Sequence, residues 1–284
     1  MPEPEPVANY HCHTGENPLW DEREQRVYWV DIPPGKLYRA DAAGAHELFF
    51  RGPEPIGGFT LQEDGSLLLF EVDGFSRLSK DGVRTRLVSG VDPDMERFND
   101  VIADPEGRVF AGTIGRDDRR GGLYRVDRGG RVTRLFQGTG ISNGMGFTTD
   151  LKRFYWTCST TRRIYRFDYG RASGELSRRT LWYEAPEGEG TPDGMAVDEK
   201  GDVWTARWDG FALLRLSPEG ERLEKIAFPV GKVSSAAFGG ERLDTLYVTT
   251  AGGAPDADTA DGTLYRVRVG VPGRPEFRSR ITPD

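Results

Sequence analysis

Six near-copies of one strand pair run through the chain. The first strand of each pair reads RVYWVD (Arg26–Asp31), SLLLFE (Ser66–Glu71), RVFAGT (Arg108–Thr113), RFYWTC (Arg153–Cys158), DVWTAR (Asp202–Arg207) and TLYVTT (Thr245–Thr250). The second reads KLYRAD (Lys36–Asp41), GFSRLS (Gly74–Ser79), GLYRVD (Gly122–Asp127), RIYRFD (Arg163–Asp168), ALLRLS (Ala212–Ser217) and TLYRVR (Thr263–Arg268), with an Arg inside every copy. The period is about 39 to 49 residues, the range of propeller blades. Apolar residues alternate with period two, and no stretch sustains helical spacing.

A more polar strand follows each pair, as in RTRLVSG (Arg84–Gly90) and RVTRLFQG (Arg131–Gly138), and a Gly-rich apolar strand precedes it. Four strands in each of six units predict an all-β, six-bladed β-propeller of antiparallel blades. A blade buries both faces only against its neighbours, so residues 1–284 are expected to form a single domain. The last blade lacks an outer strand near the C-terminus. Residues from about Val7 to His11 are expected to supply it, with PEFRSRI (Pro275–Ile281) competing for the place.

Inner strands of a propeller line one channel, so matched positions should meet at one rim. Counting back about ten to twelve residues from the VYW-type core of each first strand gives Glu16, Gly57, Asn99, Asn143, Asp193 and Ser235. Asn-Gly and Asp-Gly are also turn signals. The chain uses Asp-Gly as ordinary turns at Asp64, Asp73, Asp81, Asp209 and Asp261. Asn143 and Asp193 instead share their offset with Glu16 and Asn99, which have no Gly after them. Two carboxylates in a narrow channel require a shared proton or a cation between them. Carboxylate and amide oxygens suit calcium, magnesium or manganese and tolerate zinc or iron(II). With three or four protein ligands, positions stay open for water and substrate.

The segments GENPLWDEREQRVYWVDI, RFNDVIADPEGRVFAGT, ISNGMGFTTD, TPDGMAVDEKGDVWTARW and AAFGGERLDTLYVTTA, in this order, resemble the family of senescence marker protein (regucalcin), gluconolactonase and luciferin-regenerating enzyme. The resemblance spans about Gly15 to Arg268. It implies one divalent metal, calcium first among the candidates, held by Glu16, Asn143 and Asp193. It also implies that Arg97 and Asn99 contact a sugar lactone. The chain departs from the family's pattern in GENP, where a Gly usually precedes the Pro, and in RFND, where a Pro usually stands at Phe98. Phe98 is expected to make the site mouth bulkier. Arg116, Asp117 and Asp118 are further candidates near the site. Asp193, followed by Gly, is assigned as ligand and general base, and Glu16 as ligand only.

The function expected is a metal-dependent lactonase. A phosphotriesterase or aryl esterase on the same metal, or a non-catalytic calcium-binding propeller, are the alternatives. His11, His13 and His46 are the only histidines, which leaves little for a Ser-His-Asp arrangement. His11, Cys12 and His13 alternate between strand faces and converge poorly on one ion. Cys158 reads as a buried small residue, and Trp208 as a rim aromatic or a residue between blades. A net charge of −7 with no basic patch disfavours nucleic acid. No apolar run reaches the roughly 18 residues of a membrane span, and MPEPEPVANYHCHTG lacks a signal-peptide pattern. Two cysteines make no disulfide framework. A cytoplasmic monomer or weak homo-oligomer that meets a small sugar lactone is the expectation.

Overall fold

The computed structural model describes residues 2–116, 121–254 and 258–281, so Asp117 and Asp118 lie outside the described residues. The chain forms a six-bladed β-propeller of four-stranded antiparallel sheets. The inner strands are Gly15–Asp21, Gly58–Leu61, Met95–Ala103, Ser142–Phe147, Thr191–Val197 and Val233–Gly239. The repeated pair supplies the second and third strands of each blade. The outer strand of the sixth blade is the N-terminal segment Glu5–Asn9, which pairs with Thr263–Arg268. Blade six is therefore built from both ends of the chain.

Every seam between blades is filled by apolar side chains. Phe59 packs with Tyr28 and Ile32 between blades one and two. Phe98 meets Phe70 edge-on at 5.2 Å between two and three, and Phe110 meets Phe154 at 5.0 Å between three and four. Tyr155 and Met195 share a cluster between four and five. Trp204 meets Phe238 at 6.4 Å between five and six, and Trp20 stacks on Tyr247 at 5.4 Å between one and six. Such ring pairs contribute roughly 0.5–1.5 kcal/mol each beyond the area they bury.

The repeated Arg of the third strand now has a reason. Three of the six cross a seam to carbonyls of the next blade. Arg125 donates to Ser173 and Gly174, Arg166 to Pro218, and Arg266 to Ala42. The hairpins that leave the inner strands are fixed by side-chain turns: Asp21, Asp64, Asp104, Asp150 and Asp198 each accept a backbone N–H two residues on.

Pro275–Ile281 does not pair as an outer strand. It belongs to a strap that runs across the end of the channel where those hairpins lie, and the strap touches all six blades. Pro272 accepts from Glu199, and Gly273 donates to Leu243. Arg274 donates to Phe147, and Arg280 to Gly107. Ser279 donates to Leu61, and Arg278 pairs with Asp21 at 2.6 Å. A Cβ on Gly273 would sit 2.1 Å from the Phe238 ring, so only glycine lets the strap lie this close.

Candidate active site

The opposite end of the channel holds the residues at matched offsets. Five of the six inner strands shift register there. The shifts fall between Glu16 and Leu19, Phe98 and Val101, Asn143 and Met145, Pro192 and Met195, and Val233 and Ser235. A bulge adds a residue and re-aims the side chains beside it. Glu16, Asn99, Asn143 and Asp193 lie at these bulges, and each is nearly fully buried. The second inner strand pairs without a shift and places no polar side chain at the rim.

Glu16, Arg97, Asn99, Asn143 and Asp193 line one open cavity of about 560 Å³, with Ile32, Ile114, Ile141, Ser159, Thr160, Arg162 and Trp208 among its other walls. The structure thus brings together Glu16, Asn143, Asp193, Arg97 and Asn99, whereas Arg116 donates to the Met95 carbonyl and does not line this cavity. Trp208 faces this cavity, with the Lys232 ammonium 5.2 Å from its ring centre. Phe98 does not line the mouth. Its bulge turns the ring into the seam between blades two and three, where it is fully buried, which corrects the expected bulkier opening. Asn17, where the family more often has Gly, has φ +48°. Asn tolerates that left-handed backbone better than most residues, and its side chain accepts from the Phe59 N–H across the seam.

The polar groups are closely tied. Asn143 donates its amide to Asp193 and to the Ser159 hydroxyl, which in turn donates to the Pro192 carbonyl. Arg97 donates to Asn99 Oδ1 at 2.7 Å and to the Phe98 carbonyl, and the Asn99 amide donates to Ser142 at 3.1 Å. Burial lowers the Arg97 pKa against the pull of Glu96, Glu16 and Asp193, and among the described residues Arg97 makes no ion pair. Burial and then the charge of Asp100 push Glu16 up to about 8. Burial pushes Asp100 up to about 7. Burial, then Glu16 and Asp100, hold Asp193 well above the usual carboxylate range, against the pull of the Asn143 amide.

Asp100 was not singled out from the sequence. Strict alternation would send it away from the face that Asn99 uses, and the bulge that breaks alternation leaves no mark in RFND. Farther down the channel the strap carries Glu276, which burial and the Asp100 charge push up to about 7. Cys12 and Cys158 are buried away from the cavity, and the Cys158 thiol donates to the Thr139 carbonyl. His13 bonds to the Thr14 hydroxyl at 3.0 Å, and neither it nor His11 lines the cavity.

The donor set fits a hard cation. Among the described residues no group of three or more His, Cys, Asp or Glu is arranged to hold a metal. The mouth offers two carboxylates with amide oxygens beside them. Two buried carboxyls with raised pKa values are what a divalent ion would relieve. The Asn143 amide could present its oxygen to such an ion, since amide N and O exchange places by a flip.

A propeller whose channel mouth gathers two buried carboxylates, two amides and an Arg defines a class of oxygen-donor sites at the centre of a ring of blades. The chain belongs to the family described as SMP-30/Gluconolactonase/LRE-like region, whose model matches residues 14–252. It is 45% identical over 285 residues to a pentonolactonase of Haloferax volcanii, covering 97% of both chains. It is 37% identical over 269 residues to a 6-deoxy-6-sulfogluconolactonase of Pseudomonas putida, covering 91% of this chain and 92% of that one. A solved luciferin-regenerating enzyme superposes with a TM-score of 0.90 at 27% identity, over 99% of this chain and 100% of the other. No helix among the described residues is long and apolar enough to cross a membrane.

Proposed function

We propose that this protein is a metal-dependent hydrolase that opens sugar lactones at the channel mouth. The observation that carries this reading is the convergence of Glu16, Asn143 and Asp193 with Arg97, which makes no ion pair among the described residues, on one open cavity. Relatives named as pentonolactonase and sulfogluconolactonase support the substrate class. Glu16, Asn143 and Asp193 would hold the ion, calcium first, with zinc, manganese, magnesium or iron(II) as substitutes. When bound, the ion supplies Lewis acidity to the lactone carbonyl and to water.

The chain's own groups carry the remaining work. Asp193 is general base. It takes a proton from the water that attacks the carbonyl carbon. It returns that proton to the ring oxygen as the C–O bond breaks, which leaves the open hydroxy acid. Glu16 remains a ligand. Arg97, held in place by Asn99, donates to carbonyl or hydroxyl oxygens of the substrate. The buried walls exclude bulk water and strengthen each of these contacts.

The test is turnover of aldonolactones, aryl esters and phosphotriesters by chelator-treated protein, before and after each divalent ion is restored. Metal-dependent opening of the lactones supports the reading. Full lactone turnover without metal overturns the metal role. Absence of turnover with every common divalent ion overturns the enzyme class and favours a binding propeller.

A further inference from the structure

Arg162 is a cavity residue with no role so far. It ends the short 3-10 turn Ser159–Thr161 and has φ +58°, in the left-handed region that non-glycine residues avoid. Its backbone is fixed on both sides. Its N–H donates to Ser159 at 2.9 Å, and its carbonyl accepts from Ala185 at 3.0 Å. The side chain is therefore carried to the seam between blades four and five, at the cavity wall. One terminal nitrogen donates to the Pro186 carbonyl. The Nε is buried and unpartnered, and among the described residues no carboxylate pairs with this guanidinium. Arg163, the next residue, also has a buried Nε without a partner, but its charge is paired with Glu184 at 3.0 Å.

What sets Arg162 apart from the other arginines with a buried unpartnered nitrogen is that it lines the cavity and, among the described residues, has no carboxylate partner. A planar guanidinium with spare N–H groups reads oxygen atoms of a ligand. Arg97 enters the cavity from blade three, beside Asn99. Arg162 enters from the far side of Asn143, beyond Ser159 and Thr160. A lactone whose carbonyl lies at Asp193 and whose ring hydroxyls meet Arg97 and Asn99 would present its exocyclic carbon to Arg162.

We infer that Arg162 is a substrate-contacting, specificity-determining residue that donates hydrogen bonds to the exocyclic hydroxyl of an aldonolactone. The inference rests on the lactonase reading above and names the part of the substrate that this wall reads. The pair of probes that isolates it is a pentono-1,4-lactone and erythrono-1,4-lactone, which share ring hydroxyls and differ in the exocyclic hydroxymethyl group. The wild-type protein should prefer the five-carbon lactone in kcat/KM. Arg162→Asn suits the left-handed backbone and removes the guanidinium. It should shrink that preference by about tenfold or more, the scale of one charge-assisted hydrogen bond. Arg162→Gly, equally at ease at this φ, should do the same, and Arg97→Ala should depress both substrates and keep the ratio. A structural role for Arg162 would lower both rates together. An unchanged ratio in both variants, or a wild-type ratio near one, overturns the inference while the lactonase reading stands. Failure of the wild-type protein to open either lactone with any metal overturns both.

Discussion

Asn143 of blade four donates its side-chain amide to the carboxylate of Asp193 in blade five. This contact bridges blades four and five at the channel mouth. The amide lowers the Asp193 pKa, whereas burial and the neighbouring carboxylates raise it.

Asp193→Ala is expected to lose metal binding and lactone turnover together. General-base loss alone is typically worth about 10²–10⁴ in rate. The blades should remain folded, because their cores lie in the seams and not at the mouth. Calorimetric titration with calcium and circular dichroism check the two halves. Metal binding and turnover both at the wild-type level would reject the assignment.

Arg97→Ala is expected to lower kcat/KM by roughly tenfold to a hundredfold, the scale of hydrogen bonds to a charged group. Metal should remain bound, since Arg97 donates to Asn99 and Phe98 and supplies no oxygen to an ion. Steady-state kinetics beside a metal titration separates these effects. An unchanged kcat/KM on the best lactone would return Arg97 to a purely structural role.

Much of this arrangement was legible in the sequence, and the limits are physical. The six blades could be read because side-chain alternation and the Arg of the third strand recur with a period. Glu16, Asn99, Asn143 and Asp193 could be aligned because the bulges occur at one level, so offsets survive even where alternation fails. The same bulges hid Asp100 and the inward turn of Phe98. The Asp of each hairpin and Asp193 look alike in sequence. The former accept backbone N–H groups two residues on, and only the fold shows that Asp193 does not. The strap was illegible because Gly273, Arg274 and Arg278 find their partners in blades that the order of residues does not point to.

The raised carboxyls give a pH signature. Folded pKa values of about 8 for Glu16 and about 7 for Asp100 lie above the unfolded values of 4.5 and 3.8. These groups favour folding fully when both states are protonated, below about pH 4. That contribution is lost as pH rises through the folded values. Metal-free protein should therefore melt lower near pH 8.5 than near pH 5.5. A bound divalent ion favours the ionised carboxylates, so the gain in Tm on adding calcium should be larger at the higher pH. Thermal scans in matched buffers with chelator or calcium provide the check. A metal-free Tm that rises across this interval would contradict the assignment of these groups.

The strap should be a main determinant of stability without touching the chemistry. Arg278 and Asp21 are both buried and 2.6 Å apart, and Arg278 also lies 3.3 Å from Glu22. Removing one partner of a buried pair strands the other charge, which typically costs about 3–5 kcal/mol. Arg278→Ala should therefore lower Tm by several degrees. Asp21 also accepts the Arg23 N–H, so its hairpin keeps that contact. The lesion should be felt where the strap leaves blades one and two. The bonds of Ser279 to Leu61 and Ile281 to Gln62 should loosen with it. Amide exchange should then quicken at Ser279 and Ile281 while the seams keep their protection. Metal affinity at the opposite end of the channel should stay near wild type. A Tm within about one degree of wild type would show that the strap's other attachments hold it without Arg278.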